Sequence, residues 1–293
     1  MLDNTPFAKP TSPEKQAPMT NSPTTGNPDR NRKLMMAGGV GVVVIALLGL
    51  GAYWFVFRDT SAAPVDSPES DEARQAAIAE AQPEAQPDEE PVVPDATADD
   101  PVGIEGTWTI DGSIGTFNDA CLTDVCNTTF VGFRIDEELA SIGAKTVVGR
   151  TPGVSGTLTI EGTAITATEI AVDMTGLITD DNRRTNAIRN QAIETGLFPD
   201  ASFSLTGPVD FGALPADGEE ITVDAIGDLT IHGVTRSETI ALTAQLQGDV
   251  IVVFGQLGPI LLADYDISEP RAAVVLSVED NAIMELQLFF SRS

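Results

Sequence analysis

An uninterrupted run of 24 uncharged residues, 34–57, constrains this chain more than any other feature of its sequence. As a helix the run measures about 36 Å at ~1.5 Å per residue, which is more than the ~30 Å thickness of a hydrocarbon core. Arg30, Arg32 and Lys33 precede it, and a strongly acidic stretch follows. Because basic flanks favour the cytoplasmic side, the pattern predicts a single transmembrane helix with the N-terminus in the cytoplasm and the C-terminal part exported.

A cleaved signal peptide is the alternative interpretation, with Ser61-Ala62-Ala63 as a small-residue cleavage site. The apolar region of a signal peptide spans ~7–15 residues near the extreme N-terminus, whereas this run is longer and lies behind 33 residues. A retained anchor is therefore favoured. Residues 1–33 are polar and rich in Pro, Ser, Thr and Asn, which predicts a disordered cytoplasmic tail.

Residues 58–104 form an acidic, proline-rich stretch. Between residues 59 and 104 there are 13 acidic residues, seven prolines and one basic residue, Arg74. Such a composition predicts a self-repelling, extended linker that holds the exported domain away from the membrane. Residues 73–81 have the composition of a short helix, but nothing apolar is available to dock it.

Residues 105–293 have the pattern of an all-β domain, because apolar and polar residues alternate between Gly, Asp, Asn and Pro punctuation. Alternation along nearly every strand predicts one apolar and one polar face, hence an antiparallel barrel or a sandwich. Long strands in simple hairpins favour a barrel of eight or more strands, since closure removes exposed edges. The predicted strands are 106–111, 128–135, 154–161, 165–175, 201–206, 221–232, 234–247, 250–254, 272–278 and 282–291.

Residues 181–196 are predicted to form the one substantial helix of the domain. Asp181 or Asn182 can cap its start, and Gly196 stands where a helix end is expected. Its apolar stripe predicts packing on the outside of the sheet or across one end, and its arginines, Arg183, Arg184 and Arg189, are interpreted as a solvated face. Asp280-Asn281 predicts a tight hairpin between the last two strands.

The charge and the scarcity of histidine argue against several classes of function. Residues 105–293 carry 28 acidic and nine basic residues, so this surface repels nucleic acid. His232 is the only histidine, and a structural role at a strand-to-strand turn is expected for it, since no Ser or Cys nucleophile has a further histidine to activate it. Asp264, Asp266 and Glu269 match no calcium loop. Neither enzymatic activity nor a metal site is expected.

Cys121 and Cys126 are the only cysteines and are separated by four residues. In an exported domain this spacing favours a disulfide that closes a short loop. Redox or metal chemistry is the alternative, although a metal site would need further Cys or His ligands.

Several segments of the domain resemble one known family in order along the chain. They are GTWTID at 106–111, GFRIDEELASIG at 132–143, VGRT at 148–151, VSGTLTI at 154–160, FPDASF at 198–203 and GDLTIHGVTR at 227–236. Over essentially all of 105–293 the chain resembles the YceI-like domain in its membrane-anchored, actinobacterial type. The resemblance implies a lipocalin-like barrel around a long apolar channel that holds a polyisoprenoid chain, such as that of a quinone-type lipid.

The sequence departs from the family at two places. Gly112-Ser113 stands where the family frequently has His-Ser, and residues 117–127 form an insertion-like loop that contains both cysteines. The lipid headgroup is therefore left open by the resemblance, whereas the argument for tail binding is unaffected.

Apolar residues at alternating strand positions are the candidates for contact with a lipid chain, and no other cofactor is expected. Any barrel has an apolar interior, so the alternative is a filled core in a cell-surface interaction or stress-response domain without lipid. Chemistry on a lipid headgroup is a third, less favoured reading. The candidate residues are Trp108, Ile110, Val131, Phe133, Leu158, Ile160, Ile170, Val172, Phe203, Leu205, Leu229, Ile231, Leu242, Leu286 and Leu288.

Overall fold

The computed structural model describes residues 61–82, 103–139, 143–270 and 275–292. The chain divides into two units, residues 1–56 and 57–293, and every described residue belongs to the second. The predicted tail (1–33) and membrane helix (34–57) lie outside the described residues, as does much of the predicted linker. Within the described ranges, no helix has the length and apolar character needed to cross a membrane.

The described residues form thirteen strands, three α-helices and short 3-10 and π turns. The helices are α1 (Pro68–Ala81), α2 (Ala120–Thr123) and α3 (Asn182–Ala187), which continues into a π turn, Ile188–Ala192; the 3-10 turns are Met174–Gly176 and Leu262–Tyr265. The strands are β1 (Gly106–Ile110), β2 (Phe130–Leu139), β3 (Gly143–Thr151), β4 (Val154–Glu161), β5 (Ala164–Asp173), β6 (Ile178–Thr179), β7 (Asp200–Leu205), β8 (Val209–Asp210), β9 (Glu220–Ile231), β10 (Val234–Gln247), β11 (Val250–Ile260), β12 (Val275–Val278) and β13 (Ala282–Arg292).

Eight of these strands close into an antiparallel barrel, in the order β1-β4-β5-β7-β9-β10-β11-β13. The barrel closes because β1 pairs with β4 on one side and with β13 on the other; Trp108 lies opposite Leu158, and Ile110 lies opposite Phe290. The predicted antiparallel barrel is confirmed. Strand β3, which pairs with β2 along its length, is not among the strands that the sequence pattern predicts.

The last barrel strand, β13, has two partners along one edge. Its C-terminal end pairs with β1, while Ile283 to Gln287 pair with β2. Strands β2, β3 and β6 therefore extend the sheet beyond the barrel from this edge.

The predicted hairpin at Asp280-Asn281 is wrong. Strands β12 and β13 both pair antiparallel with β2, since Val278 lies opposite Glu137 and Ile283 lies opposite Arg134. The two strands consequently follow one another along the same edge of β2 instead of folding back on each other. The hydrogen-bonding edge of β2 satisfies the backbone groups that a hairpin would have paired.

Strand β11 continues beyond its predicted end at residue 254 to Ile260. The register shifts between Leu257 and Ile260, where the cis Gly258-Pro259 bond lies. An irregularity of this kind accommodates a proline, which has no backbone N–H to donate to the ladder.

The helix predicted over 181–196 starts where expected but ends earlier. The Asp181 side chain caps it by accepting the backbone N–H groups of Arg183 and Arg184 at 2.7 and 3.3 Å. The helix then widens into the π turn, which ends at Ala192, and Glu194 adopts a left-handed conformation with φ 50°. Gly196 therefore lies in the following turn and does not end the helix.

Helix α1 packs against the barrel, so the prediction that this segment has nothing to dock on is wrong. Ala77 and Ile78 are buried among Val250, Val252 and Phe289 on the outer faces of β11 and β13. The sequence showed too small an apolar face on the helix to reveal this contact, because only those two helix side chains belong to the cluster.

A buried ion-pair network lies on the outer face of β2, β3 and β13. The Glu285 carboxylate, with 0% of its surface exposed, accepts from Arg134 Nε at 2.5 Å and from Arg150 Nη2 at 2.7 Å. The same arginines donate to backbone carbonyls of the segment before α1, at Ala62 and Ala63. The network therefore ties this N-terminal segment to the wall of the barrel.

Candidate functional site

The barrel encloses a cavity of about 230 Å³, lined almost entirely by apolar side chains. A water molecule occupies ~30 Å³ in the liquid, and an apolar cavity without polar partners stays dry. The side chains of the barrel therefore leave its interior partly empty, and the space they leave suits an apolar ligand better than water.

The cavity is elongated along the strands. Its lining begins at Ile165 of β5, passes Ile170 and reaches Val172 before the turn at Met174. On the neighbouring strand β4, Val154 and Ile160 pair with Val172 and Ile165, and six residues of a strand advance about 20 Å at ~3.3 Å per residue. An elongated apolar space of this kind matches a narrow hydrocarbon chain better than a compact ring.

Most of the predicted lipid-contact residues line this cavity. They are Val131, Phe133, Leu158, Ile170, Val172, Phe203, Leu205, Leu229, Ile231, Leu242, Leu286 and Leu288. Their alternation places them on the inner face, as their spacing predicted.

Trp108, Ile110 and Ile160 do not line the cavity, although they were predicted with the others. They belong to or pack against the apolar cluster of the barrel wall, where β1 lies between β4 and β13. Trp108 is only 1% exposed, and its Nε1 donates to the carbonyl of Ile104 at 2.9 Å. These three side chains pack where the barrel closes and leave the ligand space to other side chains, including Leu158 of β4.

Several lining residues were not among the predicted contacts. Val223 and Ile240 share the alternating inner faces of β9 and β10, so the period-two pattern alone was enough to find them. Ile188 and Ile193, in contrast, reach the cavity from the π turn that follows α3. Only the tertiary fold brings that segment across the end of the barrel.

One end of the cavity carries charge. Glu137 of β2 and Arg184 of α3 both line it, and Glu137 Oε1 accepts from Arg184 Nη2 at 2.6 Å. Arg184 Nη1 also donates to Asp180 Oδ1 at 2.5 Å. The interpretation of Arg184 as part of a solvated face is therefore wrong. Arg183, whose side chain is 94% exposed, has the solvated position that was predicted for all three arginines of this helix.

A family profile described as the YceI-like domain matches residues 124–290, which is more than half of the chain.

The chain belongs to the YceI-like family.

Solved structures with a similar fold share little sequence with this chain. A polyisoprenoid binding domain from Saccharophagus degradans is 18% identical with a TM-score of 0.45, covering 64% of this chain and 98% of that one. BcnA of Burkholderia cenocepacia is 15% identical with a TM-score of 0.42, covering 55% and 95%. The YCEI protein of Campylobacter jejuni is 13% identical with a TM-score of 0.41, covering 50% and 84%. No curated protein matches the chain.

Gly112-Ser113, where the resemblance led us to expect His-Ser, lies away from the cavity of this YceI-like chain. Ser113 is exposed, and its hydroxyl and backbone N–H donate to Asp111 Oδ1 at 2.6 and 2.8 Å. These hydrogen bonds hold the pKa of Asp111 below its ordinary value, and the bond from the Ser113 hydroxyl contributes most. Gly112-Ser113 therefore forms a local turn in this YceI-like barrel and does not contribute to the cavity wall.

The predicted disulfide of the insertion-like loop is confirmed. Cys121 and Cys126 are bonded with an S–S distance of 2.04 Å. Both are buried with Phe130 of β2 and with Val65, which precedes α1. The disulfide therefore holds the loop of this YceI-like barrel against the same outer face that α1 covers.

His232 has structural contacts at the turn between β9 and β10. Its Nδ1 lies 3.1 Å from the carbonyl oxygen of Tyr265, and its Nε2 lies 3.1 Å from Glu194 Oε2. The ring is buried and lies 4.3 Å from the Phe198 ring. Among the residues that the structure describes, no group of His, Cys, Asp and Glu has the arrangement of a metal site.

Proposed function

We propose that this chain is a membrane-tethered lipid-binding protein of the extracytoplasmic side, whose barrel holds an isoprenoid chain in its cavity. The observation that carries the proposal is the elongated, apolar cavity of about 230 Å³ inside the barrel. The membership of the YceI-like family supports it, because the resemblance implies a polyisoprenoid ligand.

The lining accounts for the affinity of such a ligand. An isoprene unit has five carbons, and burial gains ~0.8 kcal/mol per methylene-sized group, so each unit gains roughly 3–4 kcal/mol as an upper bound. Among the residues of β5 that line the cavity, only Thr168 is polar. Affinity for the tail consequently comes from buried area and needs no polar partner along most of the cavity.

The cavity also disfavours the alternative of a filled barrel without lipid. A filled barrel would leave no interior space larger than a water molecule, since protein cores are close-packed. The space in this barrel is several times that size. A stress-response or interaction domain needs no such space.

Two features of the sequence and structure support the extracytoplasmic location and the tether. The uncharged run at 34–57 with basic residues before it predicts export of everything that follows. The Cys121–Cys126 disulfide fits an oxidising compartment, where such bonds form and persist. Alkaline extraction of membranes is expected to retain the full chain and to release a variant that lacks residues 34–57.

Lipid extraction tests the binding function directly. The full chain is purified in mild detergent from the host that naturally makes it, and its bound lipids are extracted and identified by mass spectrometry. We expect an isoprenoid lipid from the wild type. Ala225, which is buried and lines the cavity, is replaced by phenylalanine to occupy part of the space.

The Ala225→Phe variant is expected to retain about tenfold less lipid, because excluding only two methylene groups costs ~1.6 kcal/mol. Ala167→Phe is the matched control, since Ala167 is exposed on β5 and does not line the cavity. A wild-type protein without lipid, or equal lipid in both variants, contradicts the proposal.

A further inference from the structure

The cavity has a polar end whose role the binding of a tail does not explain. Glu137 is only 6% exposed and lines the cavity together with Arg184. Burying a charged pair beside an apolar space is unfavourable unless each charge has partners. Here the pair lies at the end of the cavity near Leu177 and Ile188, and not in its middle.

Glu137 and Arg184 line this end of the cavity, and with Asp180 and Lys145 behind them they form a cluster of four charged groups whose formal charges cancel. Arg184 bonds Glu137 and Asp180, and Asp180 Oδ2 accepts from Lys145 Nζ at 2.6 Å. Lys145 of β3 lies opposite Glu137 of β2 in the sheet register. The cations Arg184 and Lys145 are thus already paired with the carboxylates of Glu137 and Asp180.

The cluster retains donors for a ligand. A guanidinium group has five N–H donors, and the bonds from Arg184 to Glu137 and Asp180 use two of them. The N–H groups that remain can donate to an uncharged oxygen, such as a carbonyl or hydroxyl, that enters this end of the cavity.

An anionic group would meet an unfavourable environment at the same place. A phosphate brings further negative charge beside the buried Glu137 carboxylate, in surroundings of low dielectric where like charges repel strongly. Residues 105–293 carry 28 acidic against nine basic residues, so the field of the whole domain also opposes the entry of an anion.

On the basis of the lipid-binding function proposed above, we propose that the Glu137–Arg184 end of the cavity receives an uncharged, oxygen-bearing headgroup in preference to a lipid phosphate or pyrophosphate. The ligand class is thus an isoprenoid alcohol, quinone or ester. The proposal rests on the position of the ion pair at the end of the cavity and on its balanced charge.

Two lipids with the same tail test the selectivity. The full chain is placed in nanodiscs, and its dissociation constants for radiolabelled geranylgeraniol and geranylgeranyl pyrophosphate are measured after subtraction of the binding to empty nanodiscs. We expect the alcohol to bind at least about tenfold more tightly than the pyrophosphate.

Substitutions assign this preference to the ion pair. Glu137→Gln removes the repelling carboxylate at nearly constant shape, and we expect it to reduce the preference by about tenfold, through tighter binding of the pyrophosphate. Arg184→Gln removes the guanidinium donors and is expected to raise the dissociation constant for geranylgeraniol by about tenfold. Arg183→Gln is the matched control from the same turn of the helix and is expected to change neither constant, because its side chain is 94% exposed.

The outcomes separate this inference from the function on which it rests. Equal or tighter binding of the pyrophosphate by the wild type overturns the headgroup assignment and leaves the lipid function standing, whereas binding of neither lipid overturns the lipid function itself. If Glu137→Gln fails to fold, Asp180→Asn removes the other carboxylate bonded to Arg184. This variant is also expected to reduce the preference for the alcohol over the pyrophosphate. The headgroup assignment is also overturned if the carboxylate substitution that folds, Glu137→Gln or Asp180→Asn, leaves the preference for the alcohol over the pyrophosphate unchanged.

Discussion

At the residue scale, Glu285 is the carboxylate that joins two arginines in the buried network on the barrel wall. It is fully buried between Arg134 and Arg150. Burial lowers the pKa of Arg150 from its ordinary value, and the Glu285 carboxylate opposes that change. Alternation in β13 places Leu286 and Leu288 on the inner face and Glu285 on the outer face. Helix α1 and the segment before it cover this outer face, so Glu285 is the centre of a buried network.

Replacing Glu285 by glutamine is expected to destabilise the fold strongly. The change leaves two neighbouring arginines, one of them fully buried, without a counter-charge, and breaking a buried pair in this way costs about 3–5 kcal/mol. Urea unfolding of the full chain in mild detergent measures the loss. Glu169→Gln, the same substitution at an exposed position of β5, is expected to stay within about 0.5 kcal/mol of the wild type. Equal stability of the two variants would contradict the assigned role.

At the scale of elements, α1 shows why local pattern underestimates a helix that docks through few residues. Its start follows the usual rules, since Ser67 Oγ accepts from the Ser70 backbone N–H at 3.2 Å and Pro68 opens the helix. Its buried apolar face is small, but Arg74 contributes a further contact, since its Cζ lies 3.6 Å from the centre of the Phe254 ring. A signal was present in the partner strand, because the continuous apolar run 250–254 is typical of a strand covered on both faces.

Two aspartate substitutions in α1 test whether the helix is part of the folded domain. Ala77→Asp places a charge among Val250, Val252 and Phe289 and is expected to release the helix, whereas Ala79→Asp makes the same change on the exposed face. Hydrogen exchange of residues 68–81 in the full chain measures the difference, and local release raises their exchange towards that of an unprotected segment. Similar protection in both variants would show that the helix does not depend on this contact.

At the scale of the whole molecule, the dominant electrostatic property is the net charge of −28. A surface so rich in one sign repels itself, which keeps a protein soluble but destabilises its compact state. The Debye length falls from ~30 Å at 0.01 M to ~8 Å at 0.15 M ionic strength, so salt screens repulsion between exposed carboxylates far more than it weakens the buried pairs.

Salt is therefore expected to stabilise this protein. Raising NaCl from 0.01 to 0.15 M is expected to increase the melting temperature of the full chain by about 2–4 °C, corresponding to ~1 kcal/mol in a domain of this size. Differential scanning calorimetry in a neutral detergent measures the change. A variant with Glu161→Gln, Glu169→Gln and Asp224→Asn lacks three exposed charges and is expected to show a smaller increase. A melting temperature that falls with salt would contradict the argument.

The sequence by itself determined which side chains share a face of the strands that it predicts, where the disulfide forms and where α3 begins. These features depend on neighbours along the chain, through the period of two in a strand, the short Cys spacing and the Asp181 cap. Only the tertiary structure decided that β13 is shared by β1 and β2, that α1 covers the outer faces of β11 and β13, and that Arg184 lies beside Glu137 at the end of a cavity. Alternation says which residues point inward, whereas the space left between them depends on strand tilt, stagger and the sizes of side chains that meet across the barrel.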